Sequence, residues 1–369
     1  MRRAASTSEP RRRPRLAALA VALCVLAGCR GEPPARMERL YVFGTLADVE
    51  IRGADAATSG AALAEISALL NQRQAEWHAW EPSDLTRINA ALAAGESAPA
   101  PASVIALIER SRPLTEASEG LFDPALGGLV AAWGFHTSSF PVLTAPPTDA
   151  WLANWREHRP RLDQVMVDGD RVSSRNPAVQ LDFGAIAEGL ASETILEVLE
   201  RHGIRHALVG LGGDIVALGD GGGRPWRVGL QDPFGGALGS VALAGHEALF
   251  STGNYNKFRE SPTGARWPHL LDPRSGRPAR GAASVVVLHP DPVRADAAAT
   301  ALFVAGPSGF EHTARRLGLG CVLMVTEENE MLVSVAMAAR VDLVRHPVSL
   351  GAPLDLGPDC DAGDPAAAD

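Results

Sequence analysis

The sequence predicts a mixed α+β fold with largely antiparallel sheets and packed helices. Three observations lead there. Short runs with two-residue apolar alternation outnumber helical runs. Several neighbouring runs are joined by turn dipeptides that favour hairpins, such as Asp168-Gly169 and Gly212-Gly213. Stretches of helical period separate groups of strands instead of alternating with them regularly. With 369 residues, 46% of them apolar and 21% charged, the chain can bury a large core.

Taken in order, residues 40–51 alternate as a strand interrupted by Gly44-Thr45, and residues 59–75 repeat at helical spacing. Pro82-Ser83-Asp84 supplies turn and cap chemistry before a short element, and a helix is expected over 102–118. Residues 137–160, rich in proline and tryptophan, read as a surface excursion. A hairpin follows at 165–174, then a short strand at 179–183, a turn at Gly184, and a helix that Gly203 stops. Strands are expected at 206–212, 215–219, 226–230, 240–252, 283–288 and 321–336, with helices at 294–305 and 309–317.

The two ends read differently from the centre. Six arginines precede an apolar run too short for a dedicated membrane span, so residues 1–29 are expected to be a signal peptide. Leu26-Ala27-Gly28-Cys29 resembles a bacterial lipobox, which would make Cys29 a lipidated N-terminus on a tether over 30–38. The folded domain is then expected over 39–350, and a mobile tail rich in Gly, Pro, Ala and Asp over 351–369. Net charge is −9, and a leader with six arginines and one glutamate would leave the remainder more acidic still, which argues against nucleic acid as a partner. Cys321, in an apolar run, reads as a core thiol and Cys360 as part of a polar tail. Lys257 is the only lysine, read here as a trace of base composition.

The chemistry concentrates between His269 and Thr300. Asp296 and Thr300 are four apart on an expected helix, so their oxygens share a face and suit a small hard cation. The same spacing also fits Asp296 capping its helix and Thr300 packing within it. His269 precedes an Asp272-Pro273 turn and titrates in the range useful for proton transfer.

Eight segments extend this. FGT at 43–45, AWEPSDLTRIN at 79–89, FDPALGGLVAAWGF at 122–135, LDFGAIAEGLA at 181–191, VGLGGDIVALG at 209–219, STGNY at 251–255, HLLDPRSGRPA at 269–279 and RADAAATALFVAG at 294–306 together resemble the ApbE family of FAD:protein FMN transferases. The resemblance implies a T-fold-related architecture. It also implies Mg²⁺-dependent cleavage of FAD, transfer of FMN to a threonine or serine of a target protein, and release of AMP. By it, His269 would take the acceptor proton, and Asp296, Thr300 and the Ala185 carbonyl would hold Mg²⁺. Phe43, Trp80, Ala125, Leu126, Gly127, Asp182, Glu188 and Leu271 would form the FAD pocket. The Gly212-Gly213 amides would approach phosphate. The implied partner is an exported acceptor protein, such as a subunit of a respiratory electron-transfer complex. The leader and lipobox add an expected location: an exported periplasmic lipoprotein anchored to the inner or the outer membrane. Two other readings stay open: an FAD pyrophosphatase giving FMN and AMP, and a non-catalytic FAD-binding lipoprotein.

Overall fold

The computed structural model describes residues 35–261, 264, 266–344, 349–357 and 359–360. The leader expected over 1–29 with Cys29, most of the tether, and residues 361–369 lie outside the described residues.

Nine strands form the central sheet: β1 (Arg36–Val42), β2 (Thr45–Arg52), β3 (His206–Leu211), β4 (Asp214–Leu218), β5 (Glu247–Gly253), β6 (Ala282–His289), β7 (Cys321–Thr326), β8 (Glu330–Val333) and β9 (Ser349–Leu350). Their order in the sheet is their order in the chain. Every neighbouring pair is antiparallel except β8 with β9. The expected mixed, largely antiparallel α+β architecture is what the structure has.

Both faces of the sheet are covered, and β6 shows why. All eight of its residues are buried. Val285 and Val287 face a core shared with helices, whereas Val286 and Leu288 face a second core. The side-chain period of two sends alternate residues to opposite faces, so a strand covered on both sides loses polar alternation. The helical face carries α1 (Ala56–Trp77), α2 (Asp84–Ala93), α3 (Ala102–Ala117), α6 (Ala187–Arg201) and α7 (Pro292–Arg316). The other face is covered by a small sheet of Trp226–Gln231, Ala237–Leu243 and Val341–Leu343. The helices expected at 294–305 and 309–317 are the two arms of α7, broken at Gly306 (φ 66°) before Pro307.

A third, smaller core holds the excursion. Within 137–160 a helix, α5 (Asp149–Glu157), is capped by Thr148 and buries Leu152 and Trp155 against Leu126, Leu129, Trp133, Phe135 and Leu271, where α4 (Gly127–Ala132) contributes Leu129. The excursion therefore packs over the turn that follows His269. The strand expected at 179–183 is reduced to one bridge, Leu126 to Gln180. Asn89 of α2 substitutes for a neighbouring strand: its side-chain amide donates to the Leu181 carbonyl at 2.9 Å, and its oxygen accepts from the Leu181 amide at 2.7 Å.

Both domain boundaries need correction. β1 begins at Arg36, inside the expected tether, because pairing with the far end of β2 extends it. Its exposed outer positions left no apolar pattern to read. At the other end, the described residues 351–357 and 359–360 are anchored: Gly351 and Leu354 bond to β8, Leu356 is buried, and Cys360 is disulfide-bonded to Cys321. The expected core thiol is thus half of a cross-link whose partner lies 39 residues away. Gly, Pro and Asp around Leu354 and Leu356 obscured the anchoring residues, and cysteine pairing depends on spatial approach.

Candidate active site

The acidic flank is built where α6 and α7 cross. A Cβ at Gly189 would stand 2.6 Å from the Pro292 carbonyl oxygen and 2.8 Å from Val293 Cα, so only glycine permits this approach. The approach lets Asp296 Oδ2 accept from the Gly189 amide at 2.8 Å, and the Glu188 amide also donates to this carboxylate. Asp296 does not cap its own helix. Asp291 does that, accepting from Val293 and Arg294. Asp296 instead serves the open amides at the start of α6, where a negative charge is favoured. Thr300, half-buried, lies one turn further along α7, and the Ala185 carbonyl just ahead of α6 receives no hydrogen bond among the described residues.

Glu188 and Asp214 complete this flank. The Gly212 position, in the turn between β3 and β4, would put a Cβ 2.4 Å from Glu188 Oε2, so glycine makes room for that carboxylate. The Gly212 amide is committed to the Leu46 carbonyl at 3.2 Å and is not available to phosphate as expected. Asp214 Oδ1 accepts from the Ser251 amide at 2.7 Å, and its carboxyl hydrogen-bonds Glu188.

Desolvation dominates the titration of all three carboxyls. Burial, then the charges of Glu188 and Asp296, push Asp214 well above the usual range. Asp296 is likewise pushed well up by burial and by Glu188, against the pull of the two amides. Glu188 is raised by burial, while Lys257 and Asp214 pull it down. Among the described residues Lys257 is the cation that acts on this group of carboxyls, through Glu188, so the flank is short of positive charge. The described residues hold no cluster of three His, Cys, Asp or Glu side chains set around one point. A divalent ion here would therefore need mixed oxygen ligands, and the carboxylate, hydroxyl and carbonyl of Asp296, Thr300 and Ala185 are of the kind Mg²⁺ takes.

His269 is linked to this flank through Lys257, whose charge acts on both His269 and Glu188. Its backbone amide and its Nδ1 both donate to the Lys257 carbonyl, each at 3.1 Å. That places the ring proton on Nδ1 and leaves Nε2 as the acceptor. Burial and then the Lys257 charge lower its pKa to about 4, against the opposing effect of the carbonyl bond. The imidazole is accordingly neutral near pH 7. Phe135 meets it edge-on, with ring centroids 6.3 Å apart.

The aromatic flank is assembled from loops. Trp80 is 42% exposed, stacks on His136 at 5.2 Å, and meets His78 edge-on at 4.4 Å. His136 Nε2 lies 2.9 Å from Asp182 Oδ2, and Asp182 Oδ1 accepts from the Gly184 amide at 2.9 Å. Burial pushes the Asp182 carboxyl up, but His136, Gly184 and His78 together outweigh it and hold it below the usual range. Phe43, in the left-handed region at φ 55°, stacks on Trp77 and donates its amide to Gln74.

Several expected pocket groups are already engaged. The Ala125 amide donates to Asp123 and the Gly127 amide to Gln180. Leu271 is buried in the third core with Leu126. These residues shape the wall behind Trp133 and Phe135, and the Ala125 and Gly127 amides are spent within it. Asp182 likewise orients His136. Burial raises the Asp123 carboxyl to about 6, against the Ala125 amide it accepts from. Sequence reasoning missed His136, the Asp214 carboxyl and Lys257. For Lys257 the signal was its singularity.

Comparison with known proteins bears on the family of the chain. The sequence model of the ApbE family matches residues 43–323. The chain is 41% identical over 331 residues to a FAD:protein FMN transferase of Rhodobacter capsulatus, covering 89% of this chain and 63% of that protein. It thus spans less than two thirds of that relative's length. A FAD:protein FMN transferase of Treponema pallidum is 34% identical over 312 residues, covering 79% of this chain and 85% of that protein. The crystal structure of the flavinyl transferase ApbE of Pseudomonas stutzeri, in its apo form, superposes with a TM-score of 0.74 at 26% identity, covering 85% of this chain and 98% of that one.

Proposed function

Because the chain belongs to the ApbE family, we propose that it is a Mg²⁺-dependent FAD:protein FMN transferase, moving FMN from FAD to a threonine or serine hydroxyl of a target protein with release of AMP. The observation that carries this reading is His269. Its Nδ1–H is fixed on a carbonyl, its Nε2 is open, and its imidazole stays neutral beside a carboxylate group short of positive charge.

In the reaction, Nε2 of His269 takes the acceptor hydroxyl proton as the oxygen attacks the phosphorus of the FMN half. The new bond is O–P of the phosphoester. The bond broken joins that phosphorus to the bridging oxygen, which leaves with AMP. Mg²⁺, held by Asp296, Thr300 and the Ala185 carbonyl, would supply neutralisation of pyrophosphate charge. Trp80, exposed and backed by His136, would stack on a flat ring of FAD.

The Cys321–Cys360 disulfide supports an exported protein, since such bonds persist in oxidising compartments. Among the described residues no helix is long and apolar enough to cross a membrane. Attachment through a lipid on Cys29 is the reading we favour, with an exported flavoprotein subunit as acceptor.

The test is mass spectrometry of an acceptor bearing the target threonine after incubation with the protein, FAD and Mg²⁺. The expected product carries the mass of one FMN, and His269→Ala abolishes it while keeping FAD binding. Free FMN without adduct would favour the pyrophosphatase, and tight FAD with neither product the binder.

A further inference from the structure

The turn between β5 and the next short strand is firmly held. Asn254 donates its backbone amide to the Ala283 carbonyl at 3.1 Å and its side-chain amide to Ala282 at 3.4 Å. Tyr255 lies so close over Gly253 that a Cβ there would stand 2.1 Å from its ring. These contacts pin the turn to β6, and Lys257 is presented from it.

Beyond the turn, Phe258–Glu260 pairs antiparallel with Arg266–Pro268, with Phe258 opposite Pro268. One step outward along this register, Lys257 stands opposite His269, and the bond from the His269 amide to the Lys257 carbonyl continues the ladder. Residues directly opposite each other in an antiparallel ribbon project from the same face. The two side chains therefore leave the ribbon on the same face, and the lysine charge acts on the imidazole. The charge of the lysine also acts on Glu188 of α6.

We propose that Lys257 is a positioning residue for the transfer reaction: its carbonyl fixes His269 with Nε2 as the proton acceptor, and its ammonium occupies the space between that imidazole and Glu188. This rests on the transferase reading of the site. A cation facing the imidazole disfavours the protonated ring, so His269 starts as a base. It also favours loss of the proton after each transfer, returning the base to its starting form. Among the described residues Lys257 is the charge that acts on His269, and Phe135 meets the ring without charge. The lone lysine thus has a structural reason to be where it is.

The test compares Lys257→Arg, Lys257→Met and Lys257→Glu by NMR titration of the His269 ring in the FAD-free protein. Wild type and Lys257→Arg are expected to keep the ring neutral from pH 5 upward. The midpoint should rise in Lys257→Met and rise further in Lys257→Glu, while ¹⁵N shifts keep the Nδ1–H tautomer in all. The acid limb of the pH profile for FMN transfer should move up in the same order. An unchanged midpoint in Lys257→Met with an unchanged melting temperature would overturn the proposal. So would a midpoint in Lys257→Arg that rises as far as in Lys257→Met. If wild type transfers no FMN, the transferase reading fails, and the ring titration still decides whether Lys257 controls His269.

Discussion

The two flanks of the site are built by opposite means. The acidic flank, with Glu188, Asp214 and Asp296, is held by two helices in backbone contact at Gly189, with the Glu188 carboxylate seated against the Gly212 turn. The aromatic flank, with Trp80, His136 and Asp182, is held by loops and side-chain hydrogen bonds. Where charge must be placed against a pyrophosphate, small displacements cost much, and a crossing of two helices is a rigid mount. A ring platform tolerates more play, because stacking varies gently with lateral offset.

The sharpest way to break this contrast is Asp296. Asparagine there keeps an oxygen for the Gly189 amide but removes the charge, so Asp296→Asn should fold normally and lose about 10²–10³-fold in FMN transfer. Initial rates across a Mg²⁺ titration measure this. Activity within tenfold of wild type and unchanged Mg²⁺ dependence would make Asp296 only a cap for α6, and the acidic flank a structural feature.

Next in size is the crossing itself. Gly189→Ala drives a methyl into the Pro292 carbonyl, which cannot move without parting α6 from α7. It should cost about 1–3 kcal/mol of stability in chemical denaturation. On the other flank Gly184 is exposed and its Cβ would meet the Asp182 carboxylate at 3.2 Å, so Gly184→Ala should cost much less. Equal losses would erase the distinction between a rigid and a forgiving flank.

Legibility in the sequence follows the same division, in part. His269 before Asp272-Pro273, and Asp296 with Thr300 one turn on, are local patterns, and local patterns can be read. That Asp296 caps α6, a helix more than a hundred residues earlier, is a fact of tertiary approach; only Gly189 hinted at it. The central strands were visible because burial on both faces leaves continuous apolar runs, as in β6. β1, exposed along its outer positions, and the segment through Leu354 to Cys360 lacked such runs, and both boundaries were misplaced. His136 carried no signal, since its partner Asp182 is 46 positions away and its role is to back a tryptophan.

The smallest effect is expected at Trp80, and it bears on whether the aromatic flank is a platform at all. His136 stacks on the indole and His78 meets it edge-on, while Trp80 remains 42% exposed, so a flat ligand can reach its ring. Loss of such a stacking partner costs about 1–3 kcal/mol, and Trp80→Ala should therefore weaken FAD binding roughly tenfold by fluorescence titration. Because turnover chemistry lies on the other flank, the loss should fall on KM, with kcat little changed. His136→Ala should do the same more weakly. Asp182 adds a pH signature: its carboxyl is held below the usual range, so the support it gives through His136 is present at neutral pH and is lost as pH falls through that lowered value. FAD affinity of the wild type should then decline in acid, and that decline should be reduced in Trp80→Ala. A tryptophan variant that binds FAD as tightly as wild type would move the ring elsewhere, and the division of labour between the flanks with it.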